Sequence, residues 1–189
     1  MVVYLFVLGE SRLALGFLLA FLGLLRIDEV LTIQCKQVHI TSSNWAILSF
    51  PDSKGAKLKG DPETVIIRDR LVVGVLSKLL SKFGPDEYLV GQTYRRATLF
   101  LKNSAAHYGL VNSRVTSHCF RRGGATWHFG LFGSYDRTAS HGRWASVRSA
   151  RKYIDSAIAE LTLSRLPRWG VLRLEDATPL LEHYLSTSF

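Results

Sequence analysis

The sequence predicts a mainly helical α+β domain with one small antiparallel sheet. Residues 11–25 are apolar on nearly every side, which makes them an internal helix rather than a surface one. Residues 44–50 and 63–68 are short apolar runs separated by a Pro- and Gly-punctuated stretch, the pattern of two strands and a long connection. The remainder alternates helical spacing with cap and stop residues. With 189 residues and 47% hydrophobic content, the chain can build one ordinary core but not two.

Taken in order, the helix over 11–25 has Ser11 as its expected cap. It is flanked by Glu10 and Arg12 on one side and by Arg26, Asp28 and Glu29 on the other, and the apolar run of 13–25 is short for a bilayer span. It also lacks the basic opening and small-residue cleavage site of a signal peptide. A buried core helix is the reading, with no membrane partner. A second helical segment over 26–33 follows, then the hairpin of 44–50 and 63–68, whose connection carries Lys54, Lys57 and Lys59. Helical spacing over 71–83 ends at Gly84-Pro85, a sharp stop. Residues 93–107 read as another helix, and residues 117–129 as one capped by Thr116. Gly123-Gly124 costs that last helix about 2 kcal/mol relative to alanine, so another helix or a DNA strand should approach its backbone closely. A helix over 146–161 carries Tyr153, and a short one over 176–186 closes the chain after a break at 167–170. No internal repeat or low-complexity tract is present.

The formal charge is +9, with a sequence pI near 9.8. From Ser117 to Tyr153 there are six Arg and one Lys against a single acid, Asp136, so this segment carries about two thirds of the excess. A clustered positive charge points to a polyanion, and to nucleic acid before small acidic substrates. The two cysteines, Cys35 and Cys119, are far apart and form no CxxC pattern. That excludes a disulfide framework and a zinc motif, fits a reducing compartment, and makes Cys119 a packing residue.

The segment also holds the parts for attack on a phosphodiester. A tyrosine hydroxyl titrates near 10, so it attacks phosphorus at neutral pH only where its developing charge is stabilised or its proton accepted. Two arginines can clamp the non-bridging oxygens of such a phosphate without a metal, and Arg26 and Arg121 are the candidate pair. Glu29 lies one turn beyond Arg26 on the same face and can hold its side chain. His118 and Arg121 are likewise one turn apart and project together, histidine offering a proton relay. An acid for the leaving oxygen is still needed; Lys54 is the first candidate, Lys57 and Lys59 the alternatives. No Walker-type Gly-rich loop or acidic metal cluster appears, and a metal-independent reaction without cofactor is expected.

Leu24-Leu25-Arg26-Ile27-Asp28-Glu29, Ser53-Lys54, His118-x-x-Arg121, Gly142-Arg143-Trp144 and Tyr153 resemble, in order and spacing, the catalytic domain of the tyrosine recombinases, or phage integrases. The ordered set, with nine residues from Trp144 to Tyr153, covers about residues 11–160. The resemblance implies the tyrosine recombinase catalytic-domain fold and breakage and rejoining of double-stranded DNA through a 3′-phosphotyrosyl link. In that scheme Arg26 and Arg121 bind the scissile phosphate, Lys54 protonates the leaving 5′ oxygen, His118 assists proton transfer, and Tyr153 attacks. Trp144 stands where many members carry a second histidine; its indole N–H can donate to a phosphate oxygen but cannot exchange protons. Glu29 matches a supporting acid. Lys57, Lys59, Arg122, Arg143, Arg148, Arg151 and Lys152 are the expected DNA-contacting cations, with self-association on DNA. Family members carry a DNA-clasping domain ahead of the catalytic one, and this chain begins almost at the first catalytic helix, so that domain is expected to be absent from it. Two other readings stay open: a non-catalytic DNA-binding remnant of a mobile-element recombinase, and a type IB topoisomerase, which shares this chemistry.

Overall fold

The computed structural model describes the chain except residues 43, 54, 57–59, 112–114, 188 and 189 and the side chain of Ile158. Helix α1 (Val2–Val7) leads into α2 (Ser11–Leu22), around which the molecule is built. Leu13, Ala14, Leu15, Gly16, Phe17, Leu19 and Ala20 are all buried, as a helix apolar on every side requires. Glu10, not Ser11, takes the cap position, and no side chain caps it. Among the described residues no helix is long and apolar enough to cross a membrane. After α2 the chain turns sharply through Leu24, whose φ of 50° is left-handed. Leu24 and Leu25 are buried there, and Arg26 becomes the cap of α3 (Ile27–Thr32).

The sheet has three strands, β1 (Val38–Ile40), β2 (Ala46–Phe50) and β3 (Glu63–Ile67), antiparallel in the order β1-β2-β3. The hairpin of β2 and β3 lies where its apolar runs predict. Ala46, Leu48, Phe50, Val65 and Ile67 alternate inward to the core. Strand β1 was not expected from the sequence: it is three residues long and follows the polar Gln34, Lys36 and Gln37, too little pattern to register.

Helices α4 (Arg70–Leu80) and α5 (Tyr94–His107) start at side-chain caps, Asp69 accepting the Val72 N–H at 3.0 Å and Thr93 the Arg96 N–H at 3.2 Å. Helix α6 (His118–Phe132) starts one residue later than expected, with Ser117 at its cap; Thr116 contributes only its carbonyl, to the Cys119 N–H at 2.9 Å. The close approach inferred from Gly123-Gly124 is made by α2. A β-carbon on Gly124 would stand 2.1 Å from the Phe21 carbonyl oxygen and 2.6 Å from Leu24. The glycine pair is thus the crossing point of the two central helices, and it sits one turn from Arg121.

Beyond α6 come α7 (Tyr135–His141), α8 (Val147–Arg151), α9 (Ser156–Ser164) and α10 (Arg168–Thr187). The single helix expected over 146–161 is divided, and Tyr153 lies in the turn between α8 and α9 rather than on a helix. The competing bonds come from Thr126 on α6. Its hydroxyl accepts the Asp155 N–H at 3.0 Å and lies 3.4 Å from the Tyr153 carbonyl, which draws the turn onto α6. Helix α10 is longer than expected and runs through Pro179. It is held to α1 by stacking of Tyr184 on Phe6, with ring centres 5.6 Å apart. Both cysteines are free, and burial pushes the Cys119 thiol up to about 11, as suits packing rather than attack.

Candidate active site

Four segments distant in sequence converge beside the α2–α6 crossing. From the first, Arg26 caps α3 through a reciprocal arrangement with Glu29. The Glu29 carboxylate accepts the Arg26 backbone N–H at 2.8 Å and its Nη1 at 3.1 Å. The Arg26 guanidinium is half exposed, with one edge held by this acid and the rest facing solvent. Burial pushes the Glu29 carboxyl upward, but the Arg143 charge, the Arg26 N–H and the Arg26 charge outweigh it and hold its pKa below the ordinary value.

From α6, Arg121 is 2% exposed, a rare depth for a charged group. Its Nη2 donates to the Gly142 carbonyl at 2.6 Å, while Nε and Nη1 have no protein partner among the described residues. Burial, then repulsion from Arg26, lowers its pKa to about 10, with Arg143 adding to the repulsion and Glu29 and Tyr153 opposing it. Arg26, His118 and Arg121 line one small cleft of about 150 Å³, closed on its other sides by Leu25, Ile27, Asp28, Tyr94 and Ser117. His118 is exposed at its mouth.

Trp144 and Tyr153 complete the constellation. The Trp144 ring lies under the Arg121 guanidinium, 4.6 Å from its centre, and packs on Tyr153 with ring centres 4.9 Å apart. The Tyr153 ring is 5.9 Å from the same guanidinium. Trp144 occupies space that only glycine leaves at the preceding turn: a β-carbon on Gly142 would meet its ring at 2.0 Å. The structure therefore brings Arg26, Glu29, His118, Arg121, Trp144 and Tyr153 together. Lys54, Lys57 and Lys59 lie outside the described residues.

Of the expected DNA-contacting cations, Arg122, Arg148, Arg151 and Lys152 are exposed. Arg122 is 4.0 Å from Asp155, and Arg151 stacks over Tyr135 at 4.7 Å. Arg143 differs from the expectation. Its side chain is buried, paired with Glu29 at 2.7 Å and Glu63 at 3.3 Å, and its guanidinium lies over the Phe50 ring. A cation in a basic run reads as solvated, and its acid partners are 114 and 80 residues away, out of reach of any spacing argument.

Three further contributors carry no sequence signal. Thr126 tethers the Tyr153 turn, and Glu63 receives Arg143. His141 joins α7 to the end of α2, its Nε2 lying 2.7 Å from the Leu22 carbonyl, four residues before Arg26. His141 stacks on His128, whose Nδ1 is hydrogen-bonded to the Thr138 hydroxyl at 2.9 Å. Burial, with His141 and Arg137 nearby, lowers the His128 pKa to about 4. A depressed histidine pKa gives stability that is full above the unfolded value near 6.5 and is lost as pH falls towards 4. His128→Phe is thus expected to flatten that part of the stability-against-pH curve, measured by urea unfolding; an unchanged slope between these limits would rule His128 out as a source.

The helices around a three-stranded sheet form the tyrosine recombinase catalytic-domain fold. No family model matches the sequence, and no curated protein is similar to it in sequence. Among solved structures the chain is similar to the XerH site-specific recombinase, bound to its difH substrate in a pre-cleavage complex. The TM-score is 0.62 at 15% sequence identity, and the match covers 87% of this chain and 52% of that one. This chain therefore spans about half the length of that neighbour.

Proposed function

We propose that the chain is a DNA strand transferase that breaks and rejoins a phosphodiester through a 3′-phosphotyrosyl intermediate. The observation that carries this is Arg121, buried with two guanidinium nitrogens unpartnered among the described residues, in a cleft shared with Arg26 and His118 and stacked against Trp144 and Tyr153. A buried cation without its counter-charge is costly, and a phosphate diester has the charge and the planar acceptor edge that this guanidinium lacks.

In this reading the scissile phosphate bridges Arg26 and Arg121, which neutralise the charge that grows on its non-bridging oxygens. The Tyr153 oxygen bonds to phosphorus as the P–O5′ bond breaks. The phenolic proton passes to His118, and the 5′ oxygen takes a proton from a lysine of the β2–β3 connection, Lys54 first with Lys57 and Lys59 as alternatives. The phosphotyrosyl ester keeps the bond energy, so a 5′ hydroxyl from the same or another strand can reverse the steps without ATP. The exposed Arg122, Arg148, Arg151 and Lys152 supply sequence-independent attraction to the flanking phosphates. The XerH neighbour is described as a site-specific recombinase bound to its difH substrate, which supports duplex DNA as the partner here.

The test starts from a duplex selected for binding out of a random pool and nicked beside the candidate cleavage points, so that the released 5′ fragment diffuses away. The wild-type chain is expected to accumulate a denaturation-resistant adduct, and Tyr153→Phe none. Salt-sensitive binding without an adduct on any selected duplex would reduce the chain to a DNA-binding module.

A further inference from the structure

Arg143 joins the two halves of this site from inside. Its Nη2 is 2.7 Å from Glu29 Oε2 and its Nη1 3.3 Å from Glu63 Oε2. Glu29 is the acid that holds Arg26, through both its backbone N–H and its Nη1. Glu63 opens β3 and accepts the Ser53 hydroxyl at 2.8 Å, and Ser53 in turn accepts the Ala56 N–H at 3.0 Å, which fixes the start of the β2–β3 connection. The next residue along the chain is Trp144. One guanidinium thus ties together α3, the hairpin and the Gly142-to-Trp144 turn.

The backbone is bent to place it. Arg143 has φ of 56°, a left-handed conformation that costs a non-glycine residue about 1–2 kcal/mol. The side chain is 7% exposed and turned away from solvent, although every other cation from Arg148 to Lys152 faces outward. Such strain persists only where the surroundings over-determine it, and here two largely enclosed carboxylates do so. Glu29 and Glu63 are 12% and 11% exposed, and without the cation between them they would be two like charges facing one another.

We propose that Arg143 is a positioning residue for strand transfer, setting Arg26 through Glu29 and the base of the hairpin connection through Glu63 without touching DNA. The proposal rests on the strand-transfer reading above. The groups facing Glu29 are Arg26 from its own helix, Arg143, Arg121 from α6 and, across Arg143, Glu63 from β3.

The test compares wild type, Arg143→Met and Arg143→Lys in the full chain by three readouts. Adduct formation on the selected duplex is expected to fall roughly 10²-fold for the Met variant, the scale of misplacing a reacting group by about 1 Å, with partial recovery in the Lys variant. Duplex affinity and its salt slope are expected to stay at wild-type values, whereas loss of a phosphate contact lowers the slope by about one. Stability is the third readout. A lowered carboxyl pKa contributes stability above its unfolded value and loses it as pH falls through the folded one. The wild-type advantage over either variant should therefore be full at neutral pH and shrink below ~4.3. Unchanged adduct formation, or a salt slope reduced like that of Arg148→Ala, overturns the proposal. If the wild type itself forms no adduct, the strand-transfer reading fails; a wild-type advantage that does not shrink in acid would then also overturn the tie between Arg143 and Glu29.

Discussion

Arg121→Met is expected to make the chain more stable while cutting strand cleavage by roughly 10²–10³-fold, the loss seen when one preorganised donor to a developing charge is removed. The two effects have one cause. The guanidinium is 2% exposed, lies beside Arg26 and Arg143, and leaves Nε and Nη1 unpartnered among the described residues. Taking one charge out of water costs several kcal/mol, and an apolar side chain of similar volume removes that cost. Loss of the hydrogen bond to the Gly142 carbonyl takes back about 1 kcal/mol, and loss of the stack on Trp144 a further fraction. A net gain shows as a rise in Tm of about 2–4 °C per kcal/mol in a chain of this size. Calorimetry without DNA and adduct formation with it measure the two sides. A variant that is both less stable and inactive would mean that Arg121 is a structural residue.

Gly124→Ala and Gly130→Ala are expected to move stability in opposite directions from the same helix. Alanine gains about 1 kcal/mol over glycine in a helix interior. At Gly130 nothing lies within 4 Å of the added carbon, so the gain is realised. At Gly124 the carbon meets the Phe21 carbonyl at 2.1 Å, and a backbone oxygen at the end of α2 cannot rotate aside. Overpacking there costs about 1–3 kcal/mol or more and exceeds the propensity gain. Separation of α6 from α2 also moves Arg121 away from Arg26, so cleavage should fall further than the loss of stability explains. Tm values for the two variants decide the point; a stabilised Gly124→Ala would mean that the helices do not cross there.

What the sequence made legible is what depends on neighbours along the chain. The apolar run of α2, the hairpin of β2 and β3, and the i,i+3 pairing of Arg26 with Glu29 all follow from local pattern. So does the requirement for close approach at Gly123-Gly124, although only the structure shows that α2 makes it. The turn at Tyr153 was illegible because Ser146 to Leu161 has helical composition, and the bonds that break it come from Thr126, nearly thirty residues earlier. Arg143 misleads for a related reason. Charge clustering predicts a solvated face, and only the folded chain brings Glu29 and Glu63 to it. The residues proposed to meet the phosphate are written as motifs, whereas those that hold them are written as tertiary contacts.

The central claim is that Tyr153 is the nucleophile in a phosphate site clamped by Arg26 and Arg121. Trypsin digestion of the trapped protein–DNA adduct, followed by mass spectrometry, tests it most directly. A nucleotide bonded to Tyr153 in the tryptic peptide 153–165 is the expected result. Attachment to any other residue, or an adduct that persists in Tyr153→Phe, would contradict it.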